Sequence, residues 1–212
     1  MNDHGRIQCA GLVLAGGEAV RLGGLDKAQI KIGSQTLLAR ATLVLSQFCS
    51  AIAISGGPNP AGSELLGHPS LKDVSPGGGP LAGIAAGLHW AAGEGFEWLA
   101  VMPVDAPFLD QTPYLRLLEE VSESPLRVVE TSRPQWLASL WETRLANNAA
   151  QAAASEDKSI AHFAKLVGAT RIWMPELALM FDNINTPEDL AKARARAVPN
   201  LNQQPHSDNA CT

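Results

Sequence analysis

The sequence predicts a single-domain α/β fold in which a mainly parallel β-sheet carries helices on both faces. Short apolar runs rich in Val, Ile and Leu alternate with longer segments whose apolar residues recur at helical spacing. That alternation is typical of parallel sheets covered by helices. Because 46% of the 212 residues are hydrophobic, the chain can bury a full core, and its length does not require a second domain.

The first half of the chain contains the clearest elements. Strands are predicted at residues 7–14, 51–55 and 98–104, and a further short strand should end near Val74. Helical spacing of apolar residues predicts helices at residues 36–48, 80–92 and 112–123.

After residue 124 the pattern is less regular. Strands are predicted at residues 126–131, 136–140 and 170–173, and helices at residues 144–153 and 159–166. A last helix should begin after Thr186, because an N-cap threonine, Pro187 and the early carboxylates Glu188 and Asp189 all favour a helix N-terminus. Residues 198–212 are polar and lack periodicity, so we expect a disordered tail there.

Composition argues against several classes of protein. The formal charge of -5 does not fit a general nucleic-acid surface, since phosphate backbones are bound by clustered Lys and Arg. We expect a cytoplasmic protein without membrane contact, because no apolar stretch is long enough for a membrane helix or a signal peptide. Cys9, Cys49 and Cys211 lie far apart in sequence and near no histidine cluster, which fits a reduced compartment and no structural metal. Cys9 and Cys49 are expected to be small core residues.

The strongest functional feature is a glycine-rich segment at residues 11–27, GLVLAGGEAVRLGGLDK. A predicted buried strand ends at Leu14 and leads into a loop with two glycine pairs. Glycines let backbone amides approach phosphate oxygens closely, and Arg21 and Lys27 supply positive charge for a triphosphate. The spacing matches neither the P-loop nor the dinucleotide-binding motif. A flexible turn with solvated charges is the alternative, but the strand, both glycine pairs and the basic residues occur together and favour a phosphate-binding loop.

This segment resembles the L-A-G-G-x-x-x-R-x-G-x-D-K signature of the nucleotidyltransferases with a Rossmann-like, GT-A-like fold. The resemblance implies that five residues of the loop contact the nucleotide: Leu14, Ala15, Gly16, Gly17 and Lys27. It also implies that Arg21 joins Lys27 as a catalytic residue at the triphosphate.

A candidate metal ligand follows the predicted strand at residues 98–104. Asp105 comes just past the carboxyl end of this strand, where ligands bind in open α/β sheets. One carboxylate is enough for Mg²⁺, which keeps several waters and takes the rest of its ligands from substrate phosphates. Asp105 could instead cap a helix, but Asp105-Ala106-Pro107-Phe108 resembles the family's D-x-P-F/Y segment, which implies that Asp105 binds the nucleotide and the catalytic magnesium.

Two further segments resemble the molybdenum cofactor guanylyltransferases within this family. Asp73 followed by the glycine-proline stretch of residues 76–83 is similar to their D-x-x-x-x-x-G-P-L-A-G segment, which implies that Asp73, Ser55 and Gly79 line the nucleotide pocket. A hydrogen-bond acceptor such as the Asp73 carboxylate suits guanine, because the base presents ring N–H and amino donors.

The second segment, residues 181–190, is similar to their F-x-N-x-N-T-P-E-D/E-L. It implies that Asn183 and Asn185 bind the pterin acceptor. Alternatively, both asparagines satisfy a turn before the last helix.

The resemblance predicts a domain at residues 1–197, with a nucleotide-binding half at about 7–110 and an acceptor-binding half at about 111–197. The predicted reaction is Mg²⁺-dependent transfer of GMP from GTP to Mo-molybdopterin. A molybdoenzyme or another cofactor-biosynthesis protein is a candidate protein partner. The chain departs from the family at Arg133-Pro134, where His-Pro is common, and this departure concerns the acceptor rather than the nucleotide chemistry. A second departure is Ser55, where asparagine is common. The alternatives are a relative using CTP or a sugar-phosphate acceptor, and a non-catalytic protein that binds nucleotide or cofactor.

Overall fold

The computed structural model describes residues 8–16, 18–19, 25–56 and 67–197. The strands within these ranges, labelled β1 to β11 in chain order, are Cys9–Leu14, Glu18–Ala19, Leu25–Asp26, Lys31–Ile32, Gln35–Thr36, Ala51–Ser55, Ser70–Leu71, Trp98–Pro103, Leu126–Glu130, Pro134–Glu142 and Thr170–Trp173. The α-helices, labelled α1 to α6, are Leu37–Leu45, Gly79–Gly93, Thr112–Glu119, Ala146–Ala153, Ile160–Leu166 and Pro187–Ala197. Short 3₁₀ helices lie at Lys27–Gln29, Thr143–Leu145 and Pro175–Phe181.

The main sheet has seven strands in the order β11-β9-β10-β8-β1-β6-β7. β8 is the central strand, and β1 beside it pairs in parallel with both β8 and β6. The pairs β6–β7 and β9–β11 are also parallel. Only β10 runs antiparallel to its neighbours β8 and β9 within this sheet. The prediction of a mainly parallel sheet in one domain is therefore confirmed.

Helices cover both faces of the sheet, as predicted. Successive side chains of a strand point to opposite faces. In β1, Val13 belongs to an apolar cluster that includes residues of α1, α3 and α6, while Leu12 belongs to one that includes residues of α2, α4 and α5. All six residues of β1 and of β8 are buried. A strand buried on both faces has a continuous apolar run rather than an alternating one, which is the pattern visible in the sequence.

Side-chain hydrogen bonds cap the N-terminal ends of three helices. The Thr36 hydroxyl accepts from the Ala39 N–H at the start of α1, and the Ser159 hydroxyl accepts from the His162 N–H at the start of α5. These bonds satisfy amides that have no partner within a helix. The Thr186 hydroxyl similarly accepts from the Asp189 N–H at the start of α6, as the sequence predicts.

Some predicted elements differ from those observed. β7 ends at Leu71, before Val74, because the chain turns at residues 74–77. β10 is longer than predicted, from Pro134 to Glu142, since it pairs on both sides. Helix α3 ends at Glu119, four residues early. The small hairpins β2–β3 and β4–β5 were not predicted, and residues 1–7 and 198–212 lie outside the described residues.

The two cysteines that the structure describes are neighbours in space despite their separation in sequence. The sulfur atoms of Cys9 and Cys49 lie 3.6 Å apart. Hydrogen bonding from Cys49 lowers the pKa of Cys9, and burial raises the pKa of Cys49. Cys9 is a core residue, as predicted.

No helix among the described residues is both long and apolar enough to cross a bilayer.

Candidate active site

A cavity of about 640 Å³ opens at the carboxyl ends of β1, β6 and β8. These three strands are parallel, so their ends meet at one edge of the sheet. The cavity is lined by Leu14, Gly16, Lys27, Ser55, Gly56, Asp73, Gly77, Gly79, Pro80, Gly83, Pro103, Val104, Asp105 and Leu137. Ligands bind at this edge in open α/β sheets.

The chain after β1 is held tightly against the chain after β6. The Ala15 N–H donates to the Ser55 carbonyl at 2.6 Å, and the Ala15 side chain is buried rather than exposed to the cavity. A Cβ at Gly56 would lie 2.8 Å from the Gly16 nitrogen, so only glycine fits at position 56 without displacing backbone. This close packing leaves the backbone of Gly16 exposed at the cavity.

Ser55 and Asp73 form one wall of the cavity. The Ser55 hydroxyl donates to Asp73 Oδ1 at 3.0 Å, and Ser55 is almost completely buried. A Cβ on Gly83 of helix α2 would lie 2.5 Å from the Ser55 hydroxyl oxygen and 3.3 Å from Asp73 Oδ1. The helix can therefore approach this pair only because position 83 is glycine.

A glycine turn leads from Asp73 into helix α2. Gly77 and Gly79 have φ values of 69° and 63°, which only glycine adopts without strain. The Lys158 ammonium group donates to the Gly77 carbonyl at 2.8 Å and so ties this turn to the loop before α5. The start of α2 thus faces the cavity, an arrangement that favours anions.

A second polar cluster at the cavity joins three distant parts of the chain. The Lys27 ammonium group donates to Asp105 Oδ2 at 2.9 Å and to Asn185 Oδ1 at 2.7 Å. The side chains of Lys27 and Asp105 are 14% and 18% exposed, so both are reachable from the cavity. The Ile184 N–H donates to the Asp105 carbonyl at 2.9 Å, which fixes the chain before α6 against the end of β8.

Local capping orients Lys27. The carboxylate of Asp26 accepts from the Ala28 N–H at 2.9 Å and begins the 3₁₀ helix at Lys27–Gln29. Capping by an acidic residue stabilises such a turn. The Asp-Lys pair is therefore a structural unit in which the aspartate positions the turn and the lysine reaches the cavity.

Asn183 and Asn185 take different positions. Asn185 contacts Lys27 through its side chain, and its N–H donates to Asp189 Oδ2 at 3.1 Å. That backbone hydrogen bond is the main reason why the pKa of Asp189 is lowered. Asn183 lines two smaller hollows beside the main cavity, and Asn185 lines one of them. Asn185 therefore stabilises the turn before α6 through its backbone N–H alone, because its side chain binds Lys27.

The structure brings together most of the site residues predicted from sequence. Seven of them line the main cavity: Leu14, Gly16, Lys27, Ser55, Asp73, Gly79 and Asp105. Gly17 and Arg21 lie outside the described residues. Gly56, Gly83 and Lys158 were missed because their roles depend on long-range packing, although Gly83 belongs to the glycine-proline stretch noted in the sequence.

The described residues contain no cluster of three or more His, Cys, Asp or Glu side chains that could hold a metal ion. Asp105 fits a metal that needs one protein carboxylate, because its Oδ2 is bound to Lys27 and its Oδ1 has no hydrogen-bond partner among the described residues. Mg²⁺ bound together with substrate phosphates is such a metal. Two acidic side chains, Asp73 and Asp105, line the cavity, and Lys27 is the only basic side chain among its described lining residues. A bound triphosphate therefore needs additional positive charge.

Comparison with known proteins places this geometry in a family. The model of the MobA-like NTP transferase domain matches residues 11–170. A protein of Cereibacter sphaeroides named molybdenum cofactor guanylyltransferase is 38% identical over 188 residues, covering 87% of this chain and 95% of that protein. A protein of the same name from Rhodobacter capsulatus is 36% identical and covers 92% of this chain and 99% of its own.

Solved structures share the fold. Molybdopterin-guanine dinucleotide biosynthesis protein A from Archaeoglobus fulgidus superimposes with a TM-score of 0.74 at 21% identity, covering 88% of this chain and 97% of its own. A 2-C-methyl-D-erythritol 4-phosphate cytidylyltransferase from Thermus thermophilus gives a TM-score of 0.65 at 20% identity, covering 90% and 99%. The fold is therefore common to enzymes named for different bases and acceptors.

Proposed function

Because the chain belongs to the MobA-like NTP transferase family, we propose that it is a molybdenum cofactor guanylyltransferase. It transfers GMP from GTP to Mo-molybdopterin and produces molybdopterin guanine dinucleotide and pyrophosphate. The observation that carries the proposal is the Lys27 ammonium group bound to both Asp105 and Asn185. This contact joins the end of the glycine-rich segment to the candidate metal ligand and the candidate acceptor segment, and this arrangement supports the proposal.

The wall formed by Ser55 and Asp73 suits guanine. The Ser55 hydroxyl donates to Asp73 Oδ1, and Oδ2 of this exposed carboxylate has no hydrogen-bond partner among the described residues. Guanine presents a ring N–H and an amino group as adjacent donors, and a carboxylate accepts such bonds with charge assistance. Ser55 therefore orients Asp73 rather than contacting the base itself.

The reaction needs no protein nucleophile. An oxygen of the ionised acceptor phosphate attacks the α-phosphorus of GTP, and the bond from this phosphorus to the bridging oxygen of pyrophosphate breaks. No proton has to be removed from the attacking group. Catalysis then depends on alignment of the two substrates and on neutralisation of their negative charge.

Lys27 and Asp105 are the residues that act on the phosphates. The Lys27 ammonium group lies 2.9 Å from Asp105 Oδ2 and can donate to the α-phosphate from the cavity wall. Asp105 would hold Mg²⁺, which when bound supplies charge neutralisation at the α-phosphate and the departing pyrophosphate. Arg21 is proposed to add a second cation at the triphosphate.

The acceptor is proposed to lie next to Asn183 and Asn185. Asn185 accepts from Lys27, so its amide would both position that lysine and border the acceptor phosphate. Asn183 lines the hollows beyond it and can donate or accept at a pterin edge. The cytoplasm as location, and a molybdoenzyme as recipient of the product, stay predictions of the sequence.

The test is pyrophosphate release by the purified protein with Mg²⁺ and Mo-molybdopterin, comparing GTP, CTP and ATP. Release with GTP alone is expected. Release with CTP would reassign the base, and release with none would favour another acceptor or a non-catalytic binding protein.

Variants connect the activity to the site. Lys27→Ala and Asp105→Asn should each lose turnover while their thermal unfolding stays cooperative. Lys31→Ala is the matched control, because Lys31 is exposed and does not line the cavity. Parental turnover in either site variant would contradict the mechanism.

A further inference from the structure

The main cavity continues into a groove formed by two smaller hollows of about 360 and 430 Å³. Pro103 and Leu137 line both the main cavity and the first hollow. Arg133, Phe181 and Asn183 line both the first and the second hollow. We refer to these two hollows as the acceptor groove, because they begin beside the cavity that holds Lys27 and Asp105.

Arg133 lies where the two hollows meet. It stands in the turn between β9 and β10, and its backbone carbonyl accepts from the Thr131 N–H at 3.1 Å. Its side chain is exposed. The turn therefore fixes the backbone at Arg133 while the guanidinium group stays available to the groove.

The Arg133 guanidinium group differs from those of the other arginines that the structure describes. The other guanidinium groups form ion pairs with carboxylates, hydrogen bonds to carbonyls, or both, in the case of Arg40, Arg116, Arg127, Arg144, Arg171, Arg194 and Arg196. Arg133 has no such side-chain partner among the described residues. An arginine without a partner in a concave site is suited to bind an anionic group of a ligand.

The walls of the first hollow of the acceptor groove favour a flat, partly polar ligand. Trp136, Leu137 and Phe181 provide apolar surface, and the Asn183 amide provides a donor and an acceptor. Aromatic and aliphatic walls with a few polar groups are typical of small-molecule sites. The first hollow thus offers apolar surface for a heteroaromatic ring, and Arg133 lies at its junction with the second hollow. The second hollow is mostly charged, with Asp182, Asp189, Lys192 and Arg196 among its lining residues.

We propose that Arg133 determines acceptor specificity by binding an anionic group of the acceptor other than its reacting phosphate. This inference rests on the proposed function. The reacting phosphate has to lie at Lys27 and Asp105 in the main cavity, and the rest of the acceptor extends past Pro103 and Leu137 into the acceptor groove. Arg133 meets it there, and the planar guanidinium group binds two acceptor atoms at once.

Steady-state kinetics of pyrophosphate release test the proposal. Arg133→Ala should raise the KM for Mo-molybdopterin about tenfold, the loss expected for a hydrogen bond to a charged group. The kcat and the KM for GTP should stay at parental values, and Arg133→Lys should recover part of the loss. Arg144→Ala is the control, since Arg144 is exposed, pairs with Glu142 and lines neither hollow. An unchanged KM for the acceptor, or an equal rise in the KM for GTP, would overturn the proposal.

Binding without turnover separates this proposal from the proposed function. Mo-molybdopterin with its phosphate removed is titrated into the protein without nucleotide, and the fluorescence of the protein's tryptophans, which include Trp136 in the groove, reports binding. Arg133→Ala should weaken this binding about tenfold as well, whether or not the parent turns over GTP. Equal binding by the parent and Arg133→Ala, or no binding by the parent, would overturn the inference. Absent pyrophosphate release with intact binding would instead refute only the proposed function.

Discussion

Substitution of Gly83 by alanine tests the wall formed by Ser55 and Asp73, which is the proposed contact for the guanine base. Gly83 lies in helix α2, and its missing side chain leaves room for the pair formed by Ser55 and Asp73. A Cβ there would lie 2.5 Å from the Ser55 hydroxyl oxygen, closer than two such atoms can pack. The Ser55 hydroxyl would have to rotate away, and its bond to Asp73 would break.

The expected effect on stability combines two opposing contributions. Loss of a hydrogen bond to a charged group costs about 1.5–3 kcal/mol, whereas alanine gains about 1 kcal/mol over glycine in a helix. The net loss is about 0.5–2 kcal/mol, which lowers the Tm by roughly 1–8 °C for a domain of this size. Because Asp73 would no longer be held toward the base, GTP should bind at least about tenfold more weakly.

Gly93→Ala is the matched control. Gly93 ends the same helix, and a Cβ there meets no atom within 4 Å. This variant should be as stable as the parent or slightly more stable, with unchanged nucleotide binding.

The assay is isothermal titration with GTP and Mg²⁺, together with thermal unfolding of the parent and both variants. Parental GTP affinity in Gly83→Ala would show that the Ser55–Asp73 pair does not orient the base contact. Equal weakening by Gly93→Ala would show that the effect comes from helix α2 in general.

Three further outcomes are expected. Excess EDTA should abolish pyrophosphate release and added Mg²⁺ should restore it, without a change in Tm, because Asp105 is proposed to hold Mg²⁺ only together with the substrate phosphates; turnover in EDTA would contradict this. Asp189 has a pKa lowered from 3.8, chiefly by the Asn185 N–H, so it stabilises the fold fully above pH 3.8 and loses this contribution as the pH falls through the lower folded-state value. Urea unfolding of Asp189→Asn should therefore depend less on pH in that acidic range than the parent does, and identical pH profiles would refute the assignment. Tyr114→Phe should lose about 1 kcal/mol of unfolding free energy, since the buried Tyr114 hydroxyl donates to the Val101 carbonyl at 2.9 Å; an unchanged urea midpoint would show that this bond contributes nothing.

The fold was predictable because its strongest signals are local. β6 and β11 have the predicted bounds, and the apolar run of β1 indicated a strand buried on both faces. The predictions were wrong for elements whose existence or length depends on pairing between strands. The length of β10 depends on two neighbouring strands, and the small hairpins around Lys27 have too few residues for a periodic pattern.

The candidate site was predictable in its residues and not in its contacts. Because carboxyl ends of parallel strands meet at one edge, sequence reasoning could place Leu14, Ser55 and Asp105 together. It could not predict that Asn185 would accept from Lys27, since these residues are 158 positions apart. The same holds for the exposed guanidinium group of Arg133.

The sequence by itself therefore determined the fold class, the glycine loop and the residues at the strand ends, because helix and strand periodicity and turn chemistry act over a few neighbouring residues. Only the tertiary structure decided which polar groups meet, such as Lys27 with Asp105 and Asn185, or Ser55 with Asp73. It also decided that Gly83 must lack a side chain. Such contacts depend on how helices dock on the sheet, and close packing in the core fixes that geometry.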